Sequence, residues 1–249
     1  MTVMSGAISW FEIAASKAES AQEFYGRLFG WKFTPNAAGT YVEITTSAGP
    51  RPSGGLMPTQ GQMPSYATIC VQVNDVAATM GKATARGGRV IAGPIVAGEA
   101  QDMVVAYLLD PQGAMTCIWS SAAVEEIAPY GSGASDVGWF ELGVADTAAA
   151  RTYYADLFGW TFNAPGPTDY HVVSTGNGHV LEGGVTSNER APYAVFFVAV
   201  PDVDDAVAAA ERAGGKLLAG PMLTGAGLPK AYLLDPEGSQ FGVFAATPA

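Results

Sequence analysis

Two short stretches, Trp10-Phe11-Glu12 and Trp139-Phe140-Glu141, each set an indole and a carboxylate two residues apart. On a strand such residues share one face. A carboxylate packed beside aromatic rings loses hydration. It then becomes usable as a general acid, a general base, or an acceptor for a ligand's hydroxyl, amide or cation. The alternatives are core filling for the tryptophans and a bond to neighbouring backbone for the glutamates. Tyr41 and Tyr170 each offer a rigid ring and a hydroxyl, suited to a small aromatic or polyketide-like ligand, with strand packing as the alternative. His171 follows Tyr170 and therefore points to the opposite face; it is a base at neutral pH or an ordinary polar neighbour. His179 lies in the loop "GNGHV". These are the two histidines of the chain, and Cys70 and Cys117 are its two cysteines, too few for a metal or disulfide framework. Cys117 as a nucleophile needs a partner that promotes its thiolate. None is evident nearby, so it reads as a buried thiol and Cys70 as core strand.

The elements that must position these residues occur twice. "SWFEIAASKAESAQEFYGRLFGW" is matched 129 positions later by "GWFELGVADTAAARTYYADLFGW". "GTYVEITTSAG" is matched by "TDYHVVSTGNG", and "SYATICVQVNDVAATMGKATARGGRVIAGP" by "PYAVFFVAVPDVDDAVAAAERAGGKLLAGP". "AYLLDPQGAMTCIW" is matched by "AYLLDPEGSQFGVF" at an offset of 125. Ordered matches of this number define a duplication. The expected domains are residues 1–122 and 136–249, with a Gly/Ser/Pro-rich linker at 123–135. Each copy reads βαβββ twice. Ser16 with Glu19 is expected to cap the first helix as a capping box; its apolar face is Ala21, Phe24, Tyr25, Leu28 and Phe29. Asp146 is expected to cap the equivalent helix, Asn74 or Asp75 the second, and Asp202 the fourth. "DPQG" and "DPEG" are turns before closing strands. Trp31 and Trp160, just past the helix-ending glycines, anchor the chain's return. Gly54-Gly55 and Gly183-Gly184 read as turn or bulge devices.

The 249 residues are 49% apolar and 14% charged, a globular composition. A net charge of −11 argues against nucleic acid and anionic membrane as partners. No transmembrane span and no signal peptide are expected, and a reduced cytoplasmic setting is the default.

"FY..LFGW" after the first strand, "D-V-x-x-A......GG" on the second helix and "LLDP.G" before the last strand, each present twice, resemble the vicinal oxygen chelate superfamily. This is the glyoxalase/bleomycin resistance/extradiol dioxygenase fold. The resemblance implies an α+β protein of tandem domains, each of two βαβββ modules forming a cup-shaped mixed sheet around a cavity. It also implies a divalent metal held by His or Glu at fixed strand positions. Carried over, those positions fall on Trp10, near Thr68, and on Cys117 in the first copy. In the second they fall on Trp139, near Val195, and on Gly242. The remaining position lies somewhere around Glu43–Thr45 and Val172–Ser174, where Glu43 is the one residue that could be a ligand. Carboxylates alone could hold Mg, Mn or Ca, and Glu141 with His171 a mixed site. The expectation is nevertheless that no metal or other cofactor is used.

What remains is a cavity expected to bind through Trp10, Trp139, Tyr41, Tyr170, Thr68 and Cys117, with Glu12, Glu141 and His171 as candidate catalytic groups. Methionines at the rims, Met57 and Met63 among them, favour a bulky apolar ligand. The resemblance includes drug-sequestering resistance proteins. The histidine-poor, tandem form is similar to proteins labelled hydroxylase or glyoxalase-like in high-GC soil bacteria. The leading expectation is metal-independent binding of a bulky, partly aromatic small molecule, in antibiotic resistance or secondary metabolism. The alternative is a metal-independent isomerase, lyase or cyclase using a cavity glutamate; a metal-dependent lyase or dioxygenase stands behind both, and a structural or regulatory role is a further option. Single-domain relatives build from two chains the unit this chain carries alone, so monomer and homodimer both stay open.

Overall fold

The computed structural model describes residues 5–98, 101–122, 133–163, 169–175, 182–224 and 227–245. Most of the proposed linker and His179 lie outside them. The first copy runs β1 (Ile8–Ala15), α1 (Ala18–Phe29), β2 (Lys32–Pro35), β3 (Val42–Thr45) and β4 (Gly54–Pro58). It continues through β5 (Tyr66–Gln72), α2 (Val76–Ala85), β6 (Arg89–Ala97), β7 (Met103–Leu109) and β8 (Met115–Ser121). The second copy runs β9 (Val137–Val144), α3 (Thr147–Phe158), β10 (Thr161–Phe162), β11 (Tyr170–Ser174) and β12 (Gly183–Ser187). It ends with β13 (Tyr193–Val200), α4 (Val203–Arg212), β14 (Lys216–Leu223), β15 (Pro229–Leu234) and β16 (Gln240–Ala245). The βαβββ order thus occurs four times. The strands form two open mixed sheets of eight, ordered β2-β3-β4-β1-β5-β8-β7-β6 and β10-β11-β12-β9-β13-β16-β15-β14. Among the described residues no helix is long and apolar enough to cross a membrane.

The chain divides into two compact units that interleave the copies. One, carrying α2 and α3, comprises Met1–Ser9, Thr68–Ile127 and Phe140–Ala194; the other, carrying α1 and α4, comprises Trp10–Ala67, Ala128–Trp139 and Val195–Ala249. Each therefore joins the first half of one copy to the second half of the other.

In the α1–α4 unit, Phe24, Tyr25 and Phe29 of α1 are buried as the helical spacing predicts. Tyr25 stacks on Trp31 at 5.5 Å and meets Phe241 edge-on at 5.4 Å. Gly30 ends α1 in the left-handed region (φ 70°), where a side chain would be strained. Trp31 then turns inward and its indole donates to the Ser135 carbonyl at 2.7 Å. The α2–α3 unit repeats the device: Tyr154 stacks on Trp160, whose indole donates to the Gly6 carbonyl at 2.6 Å.

Asp75, Asp146 and Asp202 cap α2, α3 and α4, each accepting from a backbone N–H three residues on. The expected Ser16 capping box does not form. The cap position of α1 is Lys17, with no side-chain bond. Glu237 supplies the acceptor from afar: its carboxylate takes the backbone N–H groups of Ser16 at 2.8 Å and Lys17 at 3.1 Å, and the hydroxyls of Ser16 and Ser65. The equivalent residue in the first copy, Gln112, clasps Asp146 by accepting its N–H and donating to its carbonyl. A negative charge at a helix N-terminus is favourable. The Ser16 hydroxyl first, then the backbone donors and Ser65, hold the Glu237 carboxyl below its ordinary range. A carboxylate depressed on folding adds stability above its ordinary value of 4.5, and that stability is lost as pH falls through the depressed value. Glu237→Gln should therefore fold, as Gln112 does in place, and lose less stability than wild type on acidification below pH 4.5. Parallel acid limbs in urea titrations would remove Glu237 from the linkage.

Candidate functional site

In the α1–α4 unit β1 presents Trp10 and Glu12 on one face, as alternation requires. The Trp10 indole donates to the Tyr41 hydroxyl at 3.0 Å, and Tyr41 donates to Glu12 Oε2 at 3.2 Å. Tyr66, the first residue of β5, donates to Glu12 Oε1 at 2.7 Å. Both carboxylate oxygens thus accept phenols. Glu12 is 4% exposed, while Trp10, Tyr41 and Tyr66 are half-buried, so the rings stand between the carboxylate and solvent.

The glycine pairs explain how the phenol reaches the carboxylate. Gly54 and Gly55 lie in β4, in unbroken parallel register with Phe11 and Glu12. They are therefore neither turn nor bulge. A methyl on Gly55 would occupy the place of the Tyr41 phenol, and one on Gly54 the place of the Phe11 ring. Glu43 is in register with Gly55 and exposed.

The α2–α3 unit holds the second version. Glu141 is fully buried and accepts from Tyr193 at 2.6 Å, while Asn188 donates to the same phenol oxygen at 2.8 Å. Gly184 is in register with Glu141, and the Tyr170 phenol lies where a Gly184 methyl would be. Trp139, which belongs to the α1–α4 unit, is half-buried. Tyr66 and Tyr193 occupy equivalent positions and were not among the expected site residues. The signal for them was the shared tyrosine of "SYATICV" and "PYAVFFV".

Other expected residues stand apart. His171 is 2% exposed and lies on the face of β11 opposite Tyr170. Its Nε2 is 3.2 Å from Asp169 and its Nδ1 3.2 Å from the Asn163 carbonyl. Asp169 also accepts from Ser187 and from Thr147 at the start of α3. The Ser187 hydroxyl first, with Thr147 and His171, holds its carboxyl below the usual range. His171 thus belongs to a polar network at a helix start, away from the row that contains Glu141. Thr68, fully buried, donates its hydroxyl to the Met115 carbonyl at 2.7 Å. Cys117 is buried and in register with Cys70 across β5 and β8.

At the matching place in the second copy, Phe197 is in register with Gly242 and its ring covers that glycine. Tyr232 meets Phe197 edge-on at 5.3 Å, and the buried Lys230 donates to the Tyr232 hydroxyl at 2.8 Å.

Among the family's ligand positions Cys117 and the exposed Glu43 alone are ligand-type residues, too few to hold a divalent ion. The indole nitrogen of Trp10 is a donor already engaged, Thr68 is committed to a carbonyl, and Val195 and Gly242 bring no lone pair. Among the described residues no three His, Cys, Asp or Glu side chains are grouped so as to hold a metal.

Four βαβββ modules in two open sheets define a tandem glyoxalase-fold protein in which, among the described residues, no metal-binding cluster is present. The chain belongs to the Glyoxalase/Bleomycin resistance protein/Dioxygenase superfamily, whose family model matches residues 7–118 and 136–243. It is 31% identical over 261 residues to "Anthracycline biosynthesis protein DauV" of Streptomyces sp. (strain C5), covering 96% of this chain and 92% of that one. Among solved structures it is similar to the Mn(II)-bound glyoxalase from Novosphingobium aromaticivorans, with a TM-score of 0.66 and 14% identity, over 98% of this chain and 83% of that one. The 2,3-dioxygenase LapB from Pseudomonas sp. KL28 gives a TM-score of 0.65 at 14% identity, over 97% and 93%. At such identity these structures speak to the fold alone.

Proposed function

We propose that the chain binds a bulky, partly aromatic small molecule without using a metal, in secondary metabolism or in resistance to one of its products. The observation that carries this reading is the chain of bonds from Trp10 through Tyr41 to Glu12, closed by Tyr66. At the family's first ligand position it sets rings and an organic acceptor. The name of the Streptomyces relative supports an aromatic polyketide as the ligand class. We take residues 1–122 and 136–249 as the two domains, joined through 123–135. We take the chain as a cytoplasmic monomer or homodimer without a nucleic-acid partner, in keeping with its charge.

A second reading makes Glu141 or Glu12 a general base in an isomerase, lyase or cyclase. The short phenol–carboxylate bond in each copy favours it, because a base must lie within hydrogen-bond reach of what it deprotonates.

Native mass spectrometry with alizarin, a dihydroxyanthraquinone, tests both readings. Removing a charge-assisted acceptor costs about 1.5–3 kcal/mol, which is roughly a 10- to 100-fold loss of affinity. Glu12→Gln and Glu141→Gln should fold as wild type and bind at least about tenfold more weakly. If both bind as wild type does, the carboxylates are not part of the site. A ligand recovered unchanged after long incubation supports the binder; conversion abolished by either substitution supports the enzyme.

A further inference from the structure

The two helix pairs of the duplicated chain meet with different charges. Where α2 meets α3, Arg86 at the end of α2 and Asp156 of α3 form an ion pair. The duplication fixes the equivalent residues beside α4 and α1. Ala213 stands 127 positions after Arg86, and Arg27 stands 129 positions before Asp156. The carboxylate has become a guanidinium and its partner a methyl group, so the bridging pair cannot form. A second arginine, Arg212, stands where the first copy has Ala85.

A pocket of about 140 Å³ lies at this place, lined by Ser20, Glu23, Phe24, Arg27, Arg212 and Ala213. All six belong to the α1–α4 unit. Phe24 is buried and Ser20 half-buried, while Glu23 and both arginines are exposed. A space of this size takes several waters, and so a tetrahedral oxyanion. Arg27 pairs with Glu23 one turn back on α1, and the two side chains are 71% and 60% exposed. Such a pair is weak and easily shared with a second anion. Among the described residues the Arg212 side chain has no ion-pair or hydrogen-bond partner. Each arginine sits in the last turn of its helix, where a cation favours the helix dipole. That accounts for one basic residue on each helix. It does not account for their convergence on one pocket with the opposing carboxylate lost, in a chain of 12 basic and 23 acidic residues. Two guanidiniums on one pocket repel each other, and an anion between them relieves the repulsion. Their planar forks match oxyanions through paired N–H bonds.

We propose that the pocket between α1 and α4 is an oxyanion site for a phosphate group, with Arg212 and Arg27 as its charged donors and the Ser20 hydroxyl as a further one. Glu23 steadies Arg27 and still leaves two cations against one carboxylate. The site uses none of the residues in the row of Trp10, Tyr41 and Glu12, so it stands or falls apart from the aromatic-binding reading.

Inorganic phosphate is the first probe, with sodium chloride at equal ionic strength as the reference and the Nε–H resonances of Arg27 and Arg212 as the readout. Wild type should show saturable shifts of both in the millimolar range, and chloride should not produce them. Arg212→Gln and Arg27→Gln, read on the remaining arginine, should each weaken binding at least about tenfold, the size expected of a charge-assisted bond. Arg89→Gln, an exposed arginine on β6, should leave it unchanged. The double exchange Arg27→Asp with Ala213→Arg rebuilds the ion pair of the α2–α3 unit. It should keep the Tm within about 3 °C of wild type and abolish phosphate binding. Phenyl phosphate separates the sources of the group. Tighter binding than inorganic phosphate assigns a phosphate ester; equal or weaker binding assigns the free anion. Shifts that do not saturate, or that chloride matches, mean charge screening only and overturn the site. Phosphate binding unchanged in Arg212→Gln overturns it as well, and either result leaves the aromatic-binding reading untouched.

Discussion

Asp235→Ala is expected to destabilise the protein by about 3–5 kcal/mol, a fall in Tm on the order of 10 °C. The carboxylate is buried under the turn Asp235–Gly238. Its Oδ1 accepts the backbone N–H groups of Glu237 at 2.9 Å and Ser239 at 2.8 Å, and its Oδ2 accepts the Tyr25 hydroxyl at 3.1 Å. Alanine leaves three donors without an acceptor, and each orphan costs about 1–3 kcal/mol. Burial raises the Asp235 carboxyl above its usual range, and burial with the nearby carboxylate raises Tyr25 well above its own. Asp235→Asn keeps an acceptor for the amides and carries no charge, so it should cost far less. The pH dependence has a definite sign. A carboxyl raised on folding favours the protonated native state. The stability of wild type relative to Asp235→Asn should therefore be greatest in acid and decline as pH rises through the raised value. Chemical denaturation of both variants from acid to neutral pH reads this directly. An Asp235→Ala protein as stable as Asp235→Asn would mean that the turn finds other partners.

The first copy contains the same arrangement. Asp110 accepts from Gln112, Ala114 and Tyr154, at 2.8, 2.9 and 3.1 Å. In each case the aspartate belongs to one copy and the tyrosine to the other. The bond thus joins the two halves that make up one compact unit. The repeated "DP.G" and "FY" motifs are the two ends of one contact, which is why the motifs recur together.

That pairing marks the limit of what the residues disclosed in order along the chain. The βαβββ repeats, the caps at Asp75, Asp146 and Asp202, and the inward face of α1 were legible because each depends on residues within one or two turns. The cap of α1 was not, because its acceptor is Glu237, 221 positions from Ser16. The interleaved units were not legible either, since a duplication records the order of halves and not which halves pack. At the site, Trp10, Glu12 and Tyr41 could be grouped from strand alternation and the repeat. Tyr66 required the knowledge that the start of β5 lies against β1. Lys230 went unmarked because one lysine beside a tyrosine two residues on has no local signature; its burial among rings is set by three strands.

Gly55→Ala carries the second large effect, and it tests whether Tyr41 is held over the glycine for the sake of Glu12. The added methyl falls on the Tyr41 phenol. The ring must leave, Glu12 Oε2 loses that donor, and the Trp10 indole loses its acceptor. Overpacking at such a place costs about 1–3 kcal/mol, and the broken bonds add to it. Alizarin affinity should fall at least as far as in Glu12→Gln, and Trp10 fluorescence should shift with the change in its hydrogen bond. Gly184→Ala should do the same to Tyr170 in the second copy. A double-mutant cycle isolates the cause. In a Tyr41→Ala background the methyl has room, so Gly55→Ala should add little further loss. Equal cost in both backgrounds would mean that Gly55 serves the backbone, and that the phenol over it is a consequence of packing with no role in presenting the carboxylate.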